Sequence, residues 1–406
     1  MCRADPFRLG RTLEELREIR GTVAEPGRLP VTLSPTEFDL AVVGAGIVGL
    51  SCALAAARRK LKVVVVERDA RARGASVRNF GLITVTGQER DGIWPRAQRS
   101  REVWQEVAEG AGITIVNQGL WMAARRTESS ALLEAFLRTD MAEGCQLLSP
   151  SEARQRCPDL PTPGLQAVLW SPHELRVESR DALPKLADWL AREHGVEFRW
   201  QTAVHAVEPP RLETARGPLF AAAAIVCPGD DLATLFPERL AAAQVGECTL
   251  QMLRLDSPGF TLPGTVMSDL SLLRYGGFSS LPEAGALRRR LQLEQGEYLR
   301  DGIHLIVAQS SDGSLVVGDS HHYELGAVPF ADEAVYELIL EEYRAVVGRP
   351  PPAVRERWSG SYATARNGAV LVDIPLPNVR LVVVTSGIGA STGFAIGEEV
   401  VAELMG

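Results

Sequence analysis

Three closely spaced glycines stand in the stretch GAGIVG, residues 44–49, between an apolar run and an alanine-rich stretch of helical periodicity that ends near Arg59. In a strand–turn–helix unit, Gly44 permits the tight turn and Gly46 lets the backbone approach a pyrophosphate. Gly49 lets the helix and the strand pack closely, so that the amino end of the helix can face the phosphates. These spacings predict a dinucleotide-binding turn.

An acidic residue completes this unit. The next apolar run, KVVVV, ends at Glu67, 18 residues after Gly49. A carboxylate at this place can accept hydrogen bonds from the ribose hydroxyls of an adenine dinucleotide, and it repels a ribose phosphate. A glycine triplet alone is a weak signal, but strand, turn, helix, strand and acid together predict FAD or NAD and disfavour NADP.

A second glycine-rich stretch, TSGIGASTGFAIGEE, follows a buried strand predicted over residues 379–385. A final helix is predicted from about Thr392, with Ser391 or Thr392 as its cap. The amino end of that helix can face the negative charge that a flavin gains on reduction. The alternative is a strand–loop–helix unit that only closes the sheet.

The composition limits the class of protein. With 406 residues, of which 46% are hydrophobic, the chain can bury a large core and form two domains. A formal net charge of −8 disfavours a nucleic-acid partner. The apolar runs are too short to span a membrane and the amino terminus is charged, so we expect a cytoplasmic protein without a signal peptide. The six cysteines are scattered and the histidines lack metal-ligand spacing, so we expect buried thiols and no metal site.

Four stretches together resemble a known family: the glycine turn with Glu67, GASVRNFG (residues 74–81), AAAIVCPGDDL (residues 222–232) and TSGIGASTGFAIGEE. They look like the D-amino-acid oxidase superfamily of FAD-dependent oxidoreductases, over about residues 39–406. Within it, SPHELRVESRDALPKL, LQMLR, GDSHHY and RWSGSYA are similar to a bacterial clade associated with the degradation of aminophosphonates.

The resemblance implies a fold of the α/β class, α+β overall, with a doubly wound FAD-binding domain and a substrate domain built on a mixed or antiparallel sheet. Both domains are expected to be discontinuous. The FAD-binding domain is predicted over residues 39–85, 180–245 and 350–406, and the substrate domain over 86–179 and 246–349. Residues 1–38 match nothing and are predicted to hold a helix, TLEELREIR, and a linker, AEPGRLPVTLSP.

The resemblance also implies a cofactor site. In the superfamily the segment after the acidic residue runs under the flavin ring, so residues 76–81 are expected to line the flavin. Arg78 and Asn79 are then placed to bind the cofactor or an anion above it. The alternatives are a solvated arginine and a turn-forming asparagine. The full set expected to bind FAD is Gly44, Gly46, Ile47, Val48, Gly49, Glu67, Arg68, Ala75, Ser76, Arg78, Asn79, Phe80, Gly81, Val204, Pro228, Gly229, Gly387, Gly389, Ser391 and Thr392.

The substrate site departs from the family pattern. In amino-acid oxidases of the superfamily an arginine near the last sheet clamps the substrate carboxylate, and Tyr362 stands at the matching place here. This departure disfavours an ordinary α-amino acid and leaves other arginines to bind an anion. The residues predicted to act on the substrate are Arg274, Arg176, Tyr275, His321 and Tyr362, with Arg78, His304, His322 and Tyr323 as further candidates. Each has a simpler role as a packed aromatic, a buried histidine or a solvated arginine.

Two more departures concern the flavin. Sarcosine oxidases tether it through a cysteine near SGSYA, but no cysteine follows Cys248, so we expect noncovalent FAD. They also use a lysine above the flavin to promote reaction with oxygen, and the comparable strand SLVVGD has none. The electron acceptor is therefore oxygen or another molecule.

The main prediction is an FAD-dependent oxidoreductase acting on a CH–NH group. It would deaminate or dealkylate a small aminophosphonate, a 2-aminoethylphosphonate derivative, by hydride transfer from a neutral amine to the flavin. The first alternative is an amino-acid or secondary-amine oxidase of the glycine and sarcosine oxidase type. The second is a noncatalytic flavin-binding protein. In the first two cases the partner is a small anionic amine.

Overall fold

The computed structural model describes residues 37–324 and 330–406. The helix TLEELREIR and the linker AEPGRLPVTLSP, which the sequence predicts, lie outside the described residues. Among the described helices, none is long and apolar enough to cross a membrane.

The secondary structure alternates strands and helices along the chain. The strands are, in chain order, β1 (Phe38–Val43), β2 (Val63–Val66), β3 (Leu82–Ile83), β4 (Ile115–Ala124), β5 (Gln146–Leu148), β6 (Ala167–Val177), β7 (Glu197–Arg199), β8 (Val204–Glu208), β9 (Arg211–Thr214), β10 (Gly217–Val226), β11 (Gly246–Leu255), β12 (Thr265–Ser268), β13 (Ile306–Gln309), β14 (Leu315–Gly318), β15 (His322–Glu324), β16 (Val354–Thr364), β17 (Val370–Leu376) and β18 (Val379–Val384). The helices are α1 (Ile47–Arg58), α2 (Ile93–Ala111), α3 (Thr127–Phe136), α4 (Pro150–Arg156), α5 (Ser179–His194), α6 (Pro237–Ala242), α7 (Gly276–Ser279), α8 (Ala284–Glu294), α9 (Gly296–Arg300), α10 (Glu333–Val347) and α11 (Gly389–Met405), with 3₁₀ turns at Asp140–Ala142 and Asp269–Leu273.

The first sheet has the strand order β17-β18-β10-β1-β2-β7, and β8 and β9 join it beside β10. Its central strands are parallel, and only β17 and the β8–β9 pair run antiparallel to their neighbours. Val43 at the end of β1 pairs with Val66 of β2 and Val226 of β10. The carboxyl ends of these three strands therefore lie together, which brings the glycine turn, Glu67 and the Pro-Gly turn to one edge of the sheet.

This sheet is covered on both faces, which explains its run of four valines. Successive side chains of a strand point to opposite faces, so a strand buried on both sides is apolar throughout. Val63 and Val65 pack under helices α1, α2, α5 and α11. Val64 and Val66 pack on the other side with β8, β9 and α6.

The second sheet has the order β15-β11-β14-β13-β12-β4-β6-β3, with β16 paired to β11 and β5 paired to β6. All of these pairs are antiparallel except β4 with β12, so the sheet is mixed. Its core is continuous with α3, α8 and α10. The predicted α/β fold class, with a largely parallel sheet and a second mixed sheet, is confirmed.

Three elements pack with the sheet of one domain although their segments are predicted for the other domain. Strands β3 and β16 come from segments predicted for the FAD-binding domain and pair within the second sheet. Helix α2 comes from a substrate-domain segment and packs with α5 and α11. The boundaries of the two domains stay a prediction.

The final helix begins earlier than the sequence predicts. It starts at Gly389 after Ile388, and neither Ser391 nor Thr392 caps it. The hydroxyl of Thr392 donates to the Ile388 carbonyl, 3.0 Å away, inside the first turn. The hydroxyl of Ser391 accepts from the amide of Thr84 at 2.9 Å, so it ties the helix to the second sheet instead. The predicted cap is therefore wrong.

Helices α1 and α11 pack backbone to backbone, and we expect Gly397→Ala to destabilise the fold. A Cβ at Gly397 would lie 2.6 Å from the carbonyl carbon of Ser51, and overpacking of this kind costs about 1–3 kcal/mol. Denaturant unfolding of the flavin-free protein measures the change. The control is Gly285→Ala, whose Cβ would lie 3.8 Å from Arg289 Nη1 and should change the free energy of unfolding by less than about 1 kcal/mol. Equal effects of the two substitutions would contradict the packing argument.

Candidate active site

A cavity of about 420 Å³ lies at the edge of the first sheet, between it and the second sheet. The first sheet contributes the glycine turn at the start of α1 and the loop before α11, and the second contributes Leu250, Met252 and Ile306. A smaller cavity of about 160 Å³ adjoins it. Both are lined by Gly46, Ala75, Ser76, Cys227 and Gly229, so the two cavities form one groove that crosses the glycine turn.

The glycine turn leaves no space for side chains. Gly44 has a φ of +102°, and a Cβ there would lie 2.4 Å from the carbonyl oxygen of Cys227. A Cβ at Gly49 would lie 1.9 Å from the carbonyl oxygen of Gly44. At Gly46 the Cβ would lie 3.1 Å from Ser76 Oγ, where the two cavities meet. The backbone is therefore bare at the crossing point, as the approach of a pyrophosphate requires.

Glu67 lies at the smaller cavity. Its Oε2 accepts a hydrogen bond from the amide of Ala45 at 2.8 Å, and its Oε1 accepts from the amide of Asp69 at 3.0 Å. The carboxylate thus fixes the glycine turn and remains part of the cavity wall, where ribose hydroxyls can reach it. Other predicted cofactor residues in this wall are Gly44, Arg68, Val204 and Pro228.

The segment after β2 lines the larger cavity, but two of its side chains already have hydrogen-bond partners within the protein. Asn79 donates to the carbonyl of Ala75 and accepts from the amide of Gly81, each at 2.7 Å, so it forms the turn. Arg78 pairs with Asp230 at 3.2 Å. Gly81 does not line the cavity, because its Cβ position faces Val177, only 1.8 Å from that carbonyl oxygen.

The structure places the other predicted cofactor residues around the same groove, with one exception. Ile47, Val48, Phe80, Gly387, Gly389 and Ser391 line the larger cavity. Thr392 is buried behind it with its hydroxyl bonded to Ile388.

Four of the five residues predicted to act on the substrate come together. Arg274, Tyr275, His321 and Tyr362 all line the larger cavity, and Arg274 Nη2 donates to the hydroxyl of Tyr362 at 2.9 Å. Within residues 37–324 and 330–406, Tyr362 is the one hydrogen-bond partner of the Arg274 side chain. The guanidinium therefore retains free donors that face the cavity.

The fifth residue, Arg176, lies outside the cavity, which corrects its predicted role. Its side chain is 1% exposed and donates to Glu178 and Ser310, each at 3.3 Å. Arg254 shares these two partners. Arg176 therefore belongs to a buried cluster that joins β6 to β11 and β13, where a substrate anion cannot reach it.

The predicted set omits Asp319, which the structure places beside two histidines in the cavity wall. His304 Nε2 lies 3.3 Å from Asp319 Oδ1, and His321 Nε2 lies 3.8 Å from Asp319 Oδ2. These three side chains are the described residues whose ligand atoms could hold a metal ion. A polar GDSHH stretch directly after an apolar strand was the available sequence signal.

Burial controls the charges in this part of the cavity. It raises the pKa of Asp319 to about 8, although Arg274 nearby acts in the opposite direction. Burial and Arg274 lower the pKa of His304 to about 3 and that of His321 well below its usual range. Burial also raises the pKa of Tyr275 and Tyr362. At neutral pH Arg274 is therefore the charged member of this group, and Asp319 is mostly protonated.

The family model described as DAO, FAD dependent oxidoreductase, matches residues 39–404. The chain belongs to this family of FAD-dependent oxidoreductases. FAD is its cofactor, and the bare glycine turn, Glu67 in the wall of the smaller cavity and the groove that joins the two cavities fit that molecule. Bound FAD supplies the acceptor for a hydride.

Comparisons with individual proteins agree on the fold. Glycine oxidase of Geobacillus kaustophilus (strain HTA426) is 26% identical over 207 residues, which are 47% of this chain and 54% of that protein. The chain thus matches about half the length of this curated relative. Glycine oxidase from Bacillus cereus ATCC 14579 has a TM-score of 0.71 at 15% identity, covering 91% of this chain and 95% of that one. L-α-glycerophosphate oxidase from Mycoplasma pneumoniae with FAD bound has a TM-score of 0.70 at 17% identity, covering 92% and 96%. The predicted relation to aminophosphonate degradation is not shown by these comparisons.

We expect Gly46→Val to yield protein largely free of FAD. The added side chain would occupy the place where the backbone is bare and Ser76 Oγ is 3.1 Å away, which obstructs the pyrophosphate. The ratio of flavin to protein absorbance measures the loss, with Gly285→Val on helix α8 as the control. A full flavin complement in Gly46→Val would contradict the assignment of this turn.

We also expect acid precipitation to release the flavin into the supernatant. Cys227 is the cysteine that lines the cavity among the described residues. The neighbouring Cys52 and burial raise its pKa well above the usual value, so it remains a thiol and a poor nucleophile. Flavin that stays in the pellet would show a covalent link.

Proposed function

We propose that the protein oxidises the CH–NH group of a small amine that carries a carboxylate, an amino acid or a secondary amine. The family supports an FAD-dependent oxidoreductase, and the relatives named glycine oxidase support an amine substrate. The observation that carries the proposal is Arg274, a cation with free donors inside the cavity.

Arg274 is suited to bind a carboxylate. A guanidinium presents parallel N–H donors that match the two oxygens of a carboxylate. The bond from Nη2 to the hydroxyl of Tyr362, 2.9 Å long, fixes the plane of the fork and leaves the other nitrogens available. Tyr362 thus orients the arginine, instead of binding the anion in its place.

Part of the cavity wall is apolar. Leu82, Leu250, Met252 and Ile306 line it and are buried. Such a wall excludes water from the carbon that is oxidised and holds a short substrate by shape. A carboxylate on Arg274 and a carbon chain along this wall place the amine between them.

The arrangement favours a carboxylate over the phosphonate that the sequence predicts. A phosphonate carries up to two charges, and its predicted site depends on Arg176 and Arg78 in addition to Arg274. Arg176 lies outside the cavity, and Arg78 is paired with Asp230 at 3.2 Å. One free guanidinium balances a single negative charge.

Anaerobic mixing with a substrate panel tests the proposal. Glycine, N-methylglycine and other short aminocarboxylates should bleach the flavin, whereas the matched aminophosphonates should do so less efficiently. Hydroxy acids of the same length separate amine oxidation from alcohol oxidation, because the fold is shared with a glycerophosphate oxidase. If none of the amines reduced the flavin, the proposed function would be wrong. A preference for phosphonates would restore that substrate class.

We expect Arg274→Ala to lower the efficiency of flavin reduction by aminocarboxylates by roughly ten- to a hundredfold. This corresponds to the loss of a charge-assisted hydrogen bond that contributes about 1.5–3 kcal/mol. An uncharged amine of similar size should lose much less, and the FAD content should not change. Arg274→Lys should recover part of the loss, because a point charge lacks the planar fork. Arg138→Ala is the control, since Arg138 is exposed, pairs with Glu283 at 3.4 Å and does not line the cavity. Equal losses on charged and uncharged amines would mean that Arg274 is structural.

A further inference from the structure

We infer that Asp319, held between His304 and His321 in the cavity wall, takes in its carboxylate form the proton that a substrate ammonium must lose before its C–H bond is oxidised. The inference rests on the proposed function and adds a residue to it. The N–H bond of the ammonium breaks, its proton forms an O–H bond on Asp319, and the electron pair stays on nitrogen. No oxidant takes part in this step.

The position of Asp319 is that of a proton acceptor. Its side chain is 6% exposed, yet it lines the cavity in which the substrate binds. Its Oδ1 has no hydrogen-bond partner among the described residues, although it is buried. A buried carboxyl oxygen without a partner is costly, and an ammonium N–H supplies the missing donor.

The tautomer of His321 leaves Asp319 without a hydrogen-bond donor from this ring. His321 Nδ1 lies 3.0 Å from the carbonyl oxygen of Gly302, which can only accept, so Nδ1 carries the hydrogen. Nε2 then presents a lone pair towards Asp319, 3.8 Å from Oδ2. The ring therefore donates no hydrogen bond to the Asp319 carboxylate. Burial raises the pKa of Asp319 to about 8, close to the value that suits a general base near neutral pH.

Arg274 links the proton affinity of Asp319 to the binding of the substrate anion. The titratable or charged side chains around Asp319 are Cys248, Arg274, Tyr275, His304, His321, Tyr323 and Tyr362. Of these, Arg274 carries the positive charge that lowers the pKa of Asp319. A carboxylate ligand on Arg274 offsets this charge, so an anion that lacks an ammonium raises the pKa of Asp319 when it docks. In a zwitterionic substrate the ammonium beside Asp319 first favours the carboxylate, and the anion on Arg274 favours the transfer of the ammonium proton to it.

The geometry favours a proton over a metal ion at the same three residues. The rings of His304 and His321 are stacked, with centroids 4.8 Å apart and planes 24° apart. Each imidazole is nearest to a different oxygen of Asp319, whereas metal ligands converge on one point at about 2.0–2.2 Å. Arg274 nearby also opposes a divalent cation.

The coupling between anion binding at Arg274 and protonation of Asp319 can be tested without turnover. The test measures proton uptake when a carboxylate without an amine binds. Propionate is titrated into the FAD-loaded protein near pH 8.5, about half a unit above the pKa of Asp319, in two buffers of different ionisation enthalpy. The wild type should take up a large fraction of a proton per bound propionate, and Asp319→Asn should take up none. Asp256→Asn is the matched control, because Asp256 is exposed and pairs with Arg355 at 2.9 Å. No uptake by the wild type, or the same uptake by Asp319→Asn, would overturn the inference.

Anaerobic flavin reduction provides the second readout. At pH 7, Asp319→Asn should slow reduction by aminocarboxylates about a hundredfold, with unchanged FAD content and circular dichroism. In the wild type the rising limb of the pH profile at low substrate should stay in place for two amines of different pKa, and in Asp319→Asn it should follow the pKa of the amine. A profile that the substitution leaves unchanged would sink the inference while the proposed function stands. If no amine reduced the flavin of the wild type, the proposed function would be wrong instead. If the wild type held a stoichiometric metal ion that Asp319→Asn lost, Asp319 would be a metal ligand and the inference would be overturned.

Discussion

The binding groove depends on how closely helices α1 and α11 approach each other. A Cβ at Gly393 would lie 3.3 Å from Ser51 Oγ, and one at Gly389 would lie 3.4 Å from Ile47 Cγ2. Since both helices begin at the carboxyl edge of the first sheet, their amino ends line one cavity. Each amino end carries a partial positive charge, so the groove suits the anionic parts of a cofactor where these ends reach it. Bulkier residues at the helix contact would separate the two ends and divide the groove.

Charge in the cavity is controlled by burial and by one arginine. His304 and His321 are neutral at neutral pH because burial and Arg274 disfavour their protonation. Burial also disfavours the charged form of Asp319, but for an acid this raises the pKa, so Asp319 is mostly neutral as well. An incoming zwitterion therefore meets one fixed cation and one acid whose protonation responds to it. Under the proposed function, Arg274 holds the substrate and Asp319 adjusts its protonation.

The sequence predicts the cofactor end well because its determinants are local. The spacings from Gly44 to Gly49 and on to Glu67 follow from one strand–turn–helix–strand unit, and no distant contact is needed to interpret them. Arg176 shows the limit of that reasoning. It lies in β6 opposite Leu82 of β3, and its side chain faces Gly81 and Glu178. Only its contacts with Glu178 and Ser310 in the folded chain show that it turns away from the cavity.

The sequence does not mark Asp319 as a site residue, for a related reason. Its possible role depends on two distant residues: His304, which precedes β13, and Arg274, which follows a 3₁₀ turn. The fold of the second sheet brings both beside the end of β14, where Asp319 lies. Taken alone, an aspartate at the end of an apolar strand is an ordinary turn residue. The sequence offers His321 as a candidate imidazole partner of a substrate, but nothing in the sequence places Asp319 between two imidazoles.

Tyr362 joins the two halves of the site and explains why an arginine is not needed at its position. It lies in β16, and its hydroxyl accepts from Arg274 at 2.9 Å. Its ring lies over Gly387 in the loop before α11, where an added Cβ would be 3.1 Å from the ring. A longer residue than glycine there would push the tyrosine off the arginine. One aromatic side chain therefore contacts both the loop before α11 and the Arg274 guanidinium, and the positive charge lies beside Tyr362 instead of at its position.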